Sequence, residues 1–163
     1  YLIGENEADF VACHHTPHLE SVNMLKYAKD GATFLVNTPH SADTVWDTFP
    51  RPVQEEIIKK HLKVYVIDAY AVAAKTGMGR RINTVMQTCF FSKLGNVLDA
   101  ETAIKYIKKY AEKTYAKKGS SALISYSSNH GDGAIVAYCL VSATFLCKIL
   151  IRNNYWRNTI FTP

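Results

Sequence analysis

Two glycines, two arginines and an asparagine crowd the segment Gly77-Met78-Gly79-Arg80-Arg81-Ile82-Asn83, the part of the chain richest in groups that could meet a ligand. Glycine lets a backbone approach a ligand closely, and an arginine fork donates to phosphate oxygens. The helical spacing after Ile82 predicts a helix N-terminus whose amides would add to an anion site. A phosphate-bearing ligand fits that combination. A second reading stands beside it, because no strand directly precedes the glycines as a dinucleotide fingerprint requires. On that reading Gly77 stops a helix, and the arginines pair with carboxylates at a domain interface.

In open α/β sheets ligands gather outside the carboxyl ends of the strands. The residues just after the predicted strands are therefore the other candidates: Cys13 and His14, Asn37 and Thr38, and Asp68. Adjacent residues on an extended backbone face opposite ways, so Cys13 and His14 make a poor nucleophile–base pair, and Cys13 reads as a buried structural cysteine. His14, His15 and His18 lack a cysteine or carboxylate at a supporting spacing, and no metal site is expected. Asn37 could orient a carbonyl or a phosphate, or it could belong to the turn chemistry of Asn37-Thr38-Pro39.

The elements that would position these groups alternate. Strands are expected near residues 9–13, 32–37 and 63–68, each a short apolar run. Between the first two, Leu19, Val22 and Leu25 have helical spacing, with Gly31 closing the helix. Pro52 suits the first turn of the next helix, Glu55 and Glu56 suit its positive end, and Lys59, Lys60 and His61 suit its negative end. An alanine-rich helix from Ala69 to Lys75 follows, then helices from Ile82 to about Phe91 and from a cap at Asp99. In the last of these Ile104, Ile107 and Ala111 share a face, and Glu101 pairs with Lys105. Continuously apolar strands alternating with helices imply an α/β class: a three-layer α/β/α domain with a mostly parallel sheet.

The 163 residues suffice for one ordinary domain. The net charge of +5 owes much to the lysines between Lys105 and Lys118, which read as a solvated helix face. Without a basic arm beside them they do not imply a nucleic-acid partner. Four scattered cysteines form no CxxC pair, which points to a reducing compartment. No targeting signal is visible, and Tyr1 in place of Met suggests a start inside a longer protein. After Gly119 the βα rhythm gives way to a Ser/Asn/Gly stretch and an apolar run from Ile135 to Ile151. Its apolar core is too short to predict a membrane span.

The runs GATFLVNTPHSADTVWDTFPRPVQEEIIKKHLKVYVIDA (31–69) and GMGRRINTVMQTCFF (77–91) carry a resemblance. With ADFVACH (8–14) before them and the lysine-rich helix to Gly119 after, they make residues 1–119 similar to the central, gamma-type domain of pyruvate:ferredoxin (flavodoxin) oxidoreductases. The resemblance implies a fragment of an enzyme that oxidatively decarboxylates pyruvate with coenzyme A, giving acetyl-CoA and CO2 and passing electrons to ferredoxin or flavodoxin. It implies thiamine diphosphate, Mg and 4Fe-4S clusters held on other domains, with none bound wholly by this segment. Coenzyme A would meet Arg81 and Asn83, with Arg80 and Asn37 as further candidates. The family commonly has Gly where Arg80 stands, so Arg81 is the safer carry-over. The partners implied are the remaining domains of a homodimeric enzyme, in the cytoplasm or an anaerobic, mitochondrion-derived organelle. Residues 120–163 fall outside the resemblance, as a truncated gene model, a frame shift or a translated intron would produce. Two alternatives remain: a fragment of an NADP-dependent pyruvate dehydrogenase fusion of the same family, or a non-catalytic subunit that binds coenzyme A or acts as a scaffold.

Overall fold

The computed structural model describes residues 2–75, 79–93, 99, 102–103, 105–107, 109–110 and 148–149. Three strands stand where apolar runs predict them: β1 (Ala8–Cys13), β2 (Ala28–Asn37) and β3 (Lys63–Ile67). They form a parallel sheet in the order β1-β2-β3, extended by the antiparallel two-residue strand β4 (Lys148–Ile149) beside Tyr65 and Val66 of β3. The helices among them are α1 (His18–Ser21), α2 (Arg51–Lys59), α3 (Ala69–Lys75) and α4 (Asn83–Lys93). The class is α/β, as expected.

The continuous apolar run of β2 has a direct cause. Neighbouring residues on a strand face opposite sides of the sheet, and Phe34, Leu35 and Val36 are each at most 1% exposed, so this strand is covered on both faces. In β3, Val64, Val66 and Ile67 are likewise buried. β1, which among the described residues pairs with β2 alone, keeps a mixed pattern of exposure.

The chain divides into two compact units. The first holds residues 1–36, 40–66 and 148–163, and the second holds 37–39 and 67–147. In the first unit a core forms around Phe34, Val36, Val45, Phe49, Val53, Ile57 and Val64. In the second, α3 packs on α4. Ala69, Val72 and Ala73 of α3 are buried there, as are Val85, Met86 and Cys89 of α4.

The structure corrects the segment between the first two strands. Instead of one helix closed by Gly31 there are α1 and a 3-10 turn (Met24–Tyr27), and β2 begins at Ala28. Val22, one of the residues whose spacing predicted the helix, is 50% exposed, so Leu19 and Leu25 are buried without a shared apolar stripe. Gly31 lies inside β2 at φ +73°, where the β1–β2 register shifts: Ala8 pairs with Ala28, but Phe10 pairs with Thr33. Glycine takes that left-handed conformation without a Cβ clash and absorbs the extra residues of β2 as a bulge. Its N–H donates to the Lys60 carbonyl at 2.7 Å.

α2 starts as expected, with Pro52 in its first turn, but Glu55 and Glu56 sit in mid-helix, beyond the reach of the N-terminal dipole. Each finds a side chain instead. Glu55 accepts from Arg51 Nε at 3.0 Å, and Glu56 pairs with Lys60 Nζ at 3.3 Å. At the other end Leu62 N–H donates to Ile57 O and His61 N–H to Ile58 O, the paired bonds of a Schellman motif, with His61 at φ 50° in the position glycine usually fills. A His61→Gly substitution should therefore stabilise the fold by about 0.5–1 kcal/mol, measured as a rise in the urea midpoint at unchanged slope.

Further along, Thr102 N–H donates to Asp99 Oδ1 at 2.9 Å, the cap expected there, and Ala103 and Ile107 are buried. Gly77 as a helix stop, the Glu101–Lys105 pair, Ile104 and Ala111 lie outside the described residues. So does the tail from Ser120 onward apart from Lys148 and Ile149.

Candidate functional site

The carboxyl ends of the strands hold two groups of candidates. At the end of β1 a surface depression is lined by Ala12, Cys13, His14, His18, Val22 and Met24. The Cys13 side chain is buried and donates its thiol to His15 O at 3.2 Å; burial pushes its pKa above the ordinary value, and a backbone hydrogen bond at His15 offsets only part of that rise. A thiol held protonated and committed to a backbone carbonyl is a poor nucleophile. The rings of His15 and His18 stand 5.5 Å apart, and among the described residues no group of His, Cys, Asp or Glu is arranged to hold a metal ion.

In the second unit the groups converge differently. Asn37, at the last position of β2, is only 5% exposed, and its Oδ1 accepts from Ala69 N–H, the first amide of α3, at 2.9 Å. Thr38 N–H donates to Ile67 O at 2.9 Å. Asp68 Oδ1 accepts from Ala71 N–H at 2.9 Å, the reach of an N-cap to the third helical amide. Two of the orphan donors that open every helix are thus satisfied by side chains, one local and one from β2. Asp68 as a cap was open to reading from the sequence, since aspartate directly precedes the alanine-rich run. The link from Asn37 was not, since its partner is 32 residues away.

The arginine segment lies between α3 and α4. Gly79, at φ +62°, has open space where a Cβ would stand, and it begins a turn in which Ile82 N–H donates to Arg80 O at 3.1 Å. Ile82 is buried at 8% exposure, and its carbonyl accepts from Met86 N–H, so this residue anchors the start of α4. Arg80, Arg81 and Asn83 are all exposed around it, and Arg81 also makes a contact within the protein. Chemically the turn offers two charged forks beside the first amides of an eleven-residue helix, an arrangement that attracts an anion. Of the candidates read from the sequence, Arg80, Arg81 and Asn83 share this exposed turn and helix start. Asn37 occupies a buried joint at the start of α3.

A family model described as pyruvate ferredoxin/flavodoxin oxidoreductase matches residues 2–125. The chain belongs to this family. The match runs slightly beyond Gly119, where the sequence resemblance was expected to end. This oxidoreductase-family chain is 55% identical over 123 residues to a pyruvate-flavodoxin oxidoreductase of Rhodospirillum rubrum, covering 76% of the chain and 10% of that protein. It is 56% identical over 119 residues to a protein of the same name from Trichormus variabilis, covering 73% of the chain and 10% of that protein. It therefore spans about a tenth of the length of these curated relatives. A crystal structure of a pyruvate oxidoreductase subunit from Thermotoga maritima superimposes with a TM-score of 0.58 at 19% identity, covering 90% of this chain and 66% of that one. At that identity the oxidoreductase-family chain shares the fold with it.

Among the described residues, Cys13 of β1 and Cys89 of α4 belong to no group of metal-binding side chains, whereas a 4Fe-4S cluster takes four thiolates.

Proposed function

We propose that this chain is the segment of a 2-oxoacid oxidoreductase that helps receive coenzyme A. The whole enzyme decarboxylates pyruvate, transfers the acetyl group to the coenzyme A sulfur, and sends two electrons singly to ferredoxin or flavodoxin. The family match across residues 2–125 carries this reading. Thiamine diphosphate with Mg and the 4Fe-4S clusters belong, on this reading, to the rest of the enzyme and supply the chemistry of decarboxylation and electron transfer. The residues of this chain bind and orient. The forks of Arg80 and Arg81 meet the phosphates of the coenzyme, and the first turn of α4, opened by Asn83, supplies further donors.

The test is the full-length enzyme that carries this segment, assayed for pyruvate- and coenzyme A-dependent reduction of a one-electron acceptor. Activity that needs both substrates supports the assignment, and its absence in a fully loaded enzyme overturns it. In that enzyme Arg81→Ala should raise the KM for coenzyme A about 10- to 100-fold, the equivalent of a charged hydrogen bond worth about 1.5–3 kcal/mol, with the KM for pyruvate little changed. If the arginine only braced a domain interface, the melting temperature would fall while the coenzyme A constant held.

A further inference from the structure

We infer that Asn37 is a positioning residue for the arginine turn, acting through α3 and not by touching the ligand. This inference rests on the coenzyme A reading of Arg81 given above. Asn37 is 5% exposed, and its Oδ1 is committed to Ala69 N–H at 2.9 Å, so that oxygen is already spent on the start of α3. Thr38 N–H to Ile67 O, at 2.9 Å, ties the next residue to the same junction. The axial position of α3 is therefore set at its first residue by Asn37 and at its third by Asp68.

That position passes to the arginines by two routes. Covalently, Lys75 ends α3 and Gly79 opens the turn, and four residues of chain reach no further than about 14 Å. Through packing, α3 lies against α4, with Ala69 and Ala73 fully buried on one helix and Val85 and Cys89 fully buried on the other. Close-packed helices shift as units, so a displaced α3 carries the start of α4, and with it Ile82 and its flanking arginines, out of place. A fork that must meet phosphate oxygens is sensitive to such a shift, because charged hydrogen bonds weaken steeply with misalignment.

The experiment uses the full-length enzyme with Asn37→Ala, Arg81→Ala and the double substitution. Asn37→Ala alone should raise the KM for coenzyme A at least about threefold, the scale of one lost helix-start hydrogen bond, while kcat and the KM for pyruvate hold. In the Arg81→Ala background the same substitution should cost clearly less, because one of the two forks it positions is gone. An equal penalty with and without Arg81, or an equal rise in both Michaelis constants, overturns the inference and leaves the coenzyme A site standing. An Arg81→Ala enzyme with an unchanged coenzyme A constant removes the site itself and the inference with it. Should Asn37→Ala fail to fold, Asp68→Ala loosens the same helix start from a less buried side chain. It must show the same selective rise and the same dependence on Arg81, or the inference falls.

Discussion

Truncating Phe34 to alanine should cost about 4 kcal/mol of stability, because large-to-small changes at a buried phenylalanine lose both the transfer energy of the ring and the contacts around the hole it leaves. Phe34 is 0% exposed in the central strand β2, and its ring lies 6.3 Å from that of Phe49, which in turn meets Trp46 edge-on at 6.2 Å. The three aromatics link β2 to the segment leading into α2, so the cavity would open where sheet and helix layers join. Backbone elements on both sides are held by their own hydrogen bonds, which limits collapse into the space. Urea unfolding followed by circular dichroism should show a lower midpoint at an unchanged slope. Against a typical total of about 5–15 kcal/mol, this loss would leave the fold marginal. A cost below about 2 kcal/mol would mean that the surrounding elements close over the gap.

The position of Phe34 also shows what the sequence makes legible. A strand buried on both faces must be apolar at every step, so ATFLV announces itself without any tertiary information. The start of α2 is equally local, since Pro52 carries its signal within one turn. Features whose partners lie far along the chain leave no such mark. Asn37 reads from the sequence as a ligand contact or as turn chemistry because Ala69, the residue whose N–H donates to its side chain, is 32 positions away. Gly31 is ambiguous in the sequence for a related reason. A glycine at positive φ serves a helix end and a strand bulge equally well, and only the register of β1 against β2 decides between them. The arginine turn lies between these extremes. Its residue types suit a phosphate ligand or a domain interface equally, while the burial of Ile82 that holds the turn in place is a property of the fold.

Lys60 is the clearest case of a role hidden by distance, and replacing it with methionine should destabilise the protein by about 3 kcal/mol, within the range for breaking a buried, hydrogen-bonded charge. By sequence it is one of several basic residues suited to the negative end of α2. In the structure it is 6% exposed, and its Nζ donates to Leu25 O at 2.7 Å and Lys26 O at 3.1 Å while pairing with Glu56 Oε2 at 3.3 Å. The ammonium thus satisfies carbonyls of the 3-10 turn that leads into β2 and fastens that turn to α2. Methionine preserves the length of the apolar stem, so packing is largely kept and the change isolates the charge. Two carbonyls and a carboxylate then lose their donor. Glu56 is 24% exposed on its side chain and can turn to water, so Glu56→Gln should cost only about 1 kcal/mol, leaving Lys60 its two carbonyl bonds. The ratio between the two variants is the discriminating result. If Lys60→Met were neutral, the cost of desolvating the ammonium would cancel everything it bonds to, as happens when some buried ion pairs give way to apolar side chains. A large loss for Lys60→Met with a small one for Glu56→Gln instead places the stabilisation in the carbonyl contacts, where the lysine acts as the cap of a turn 34 residues before it.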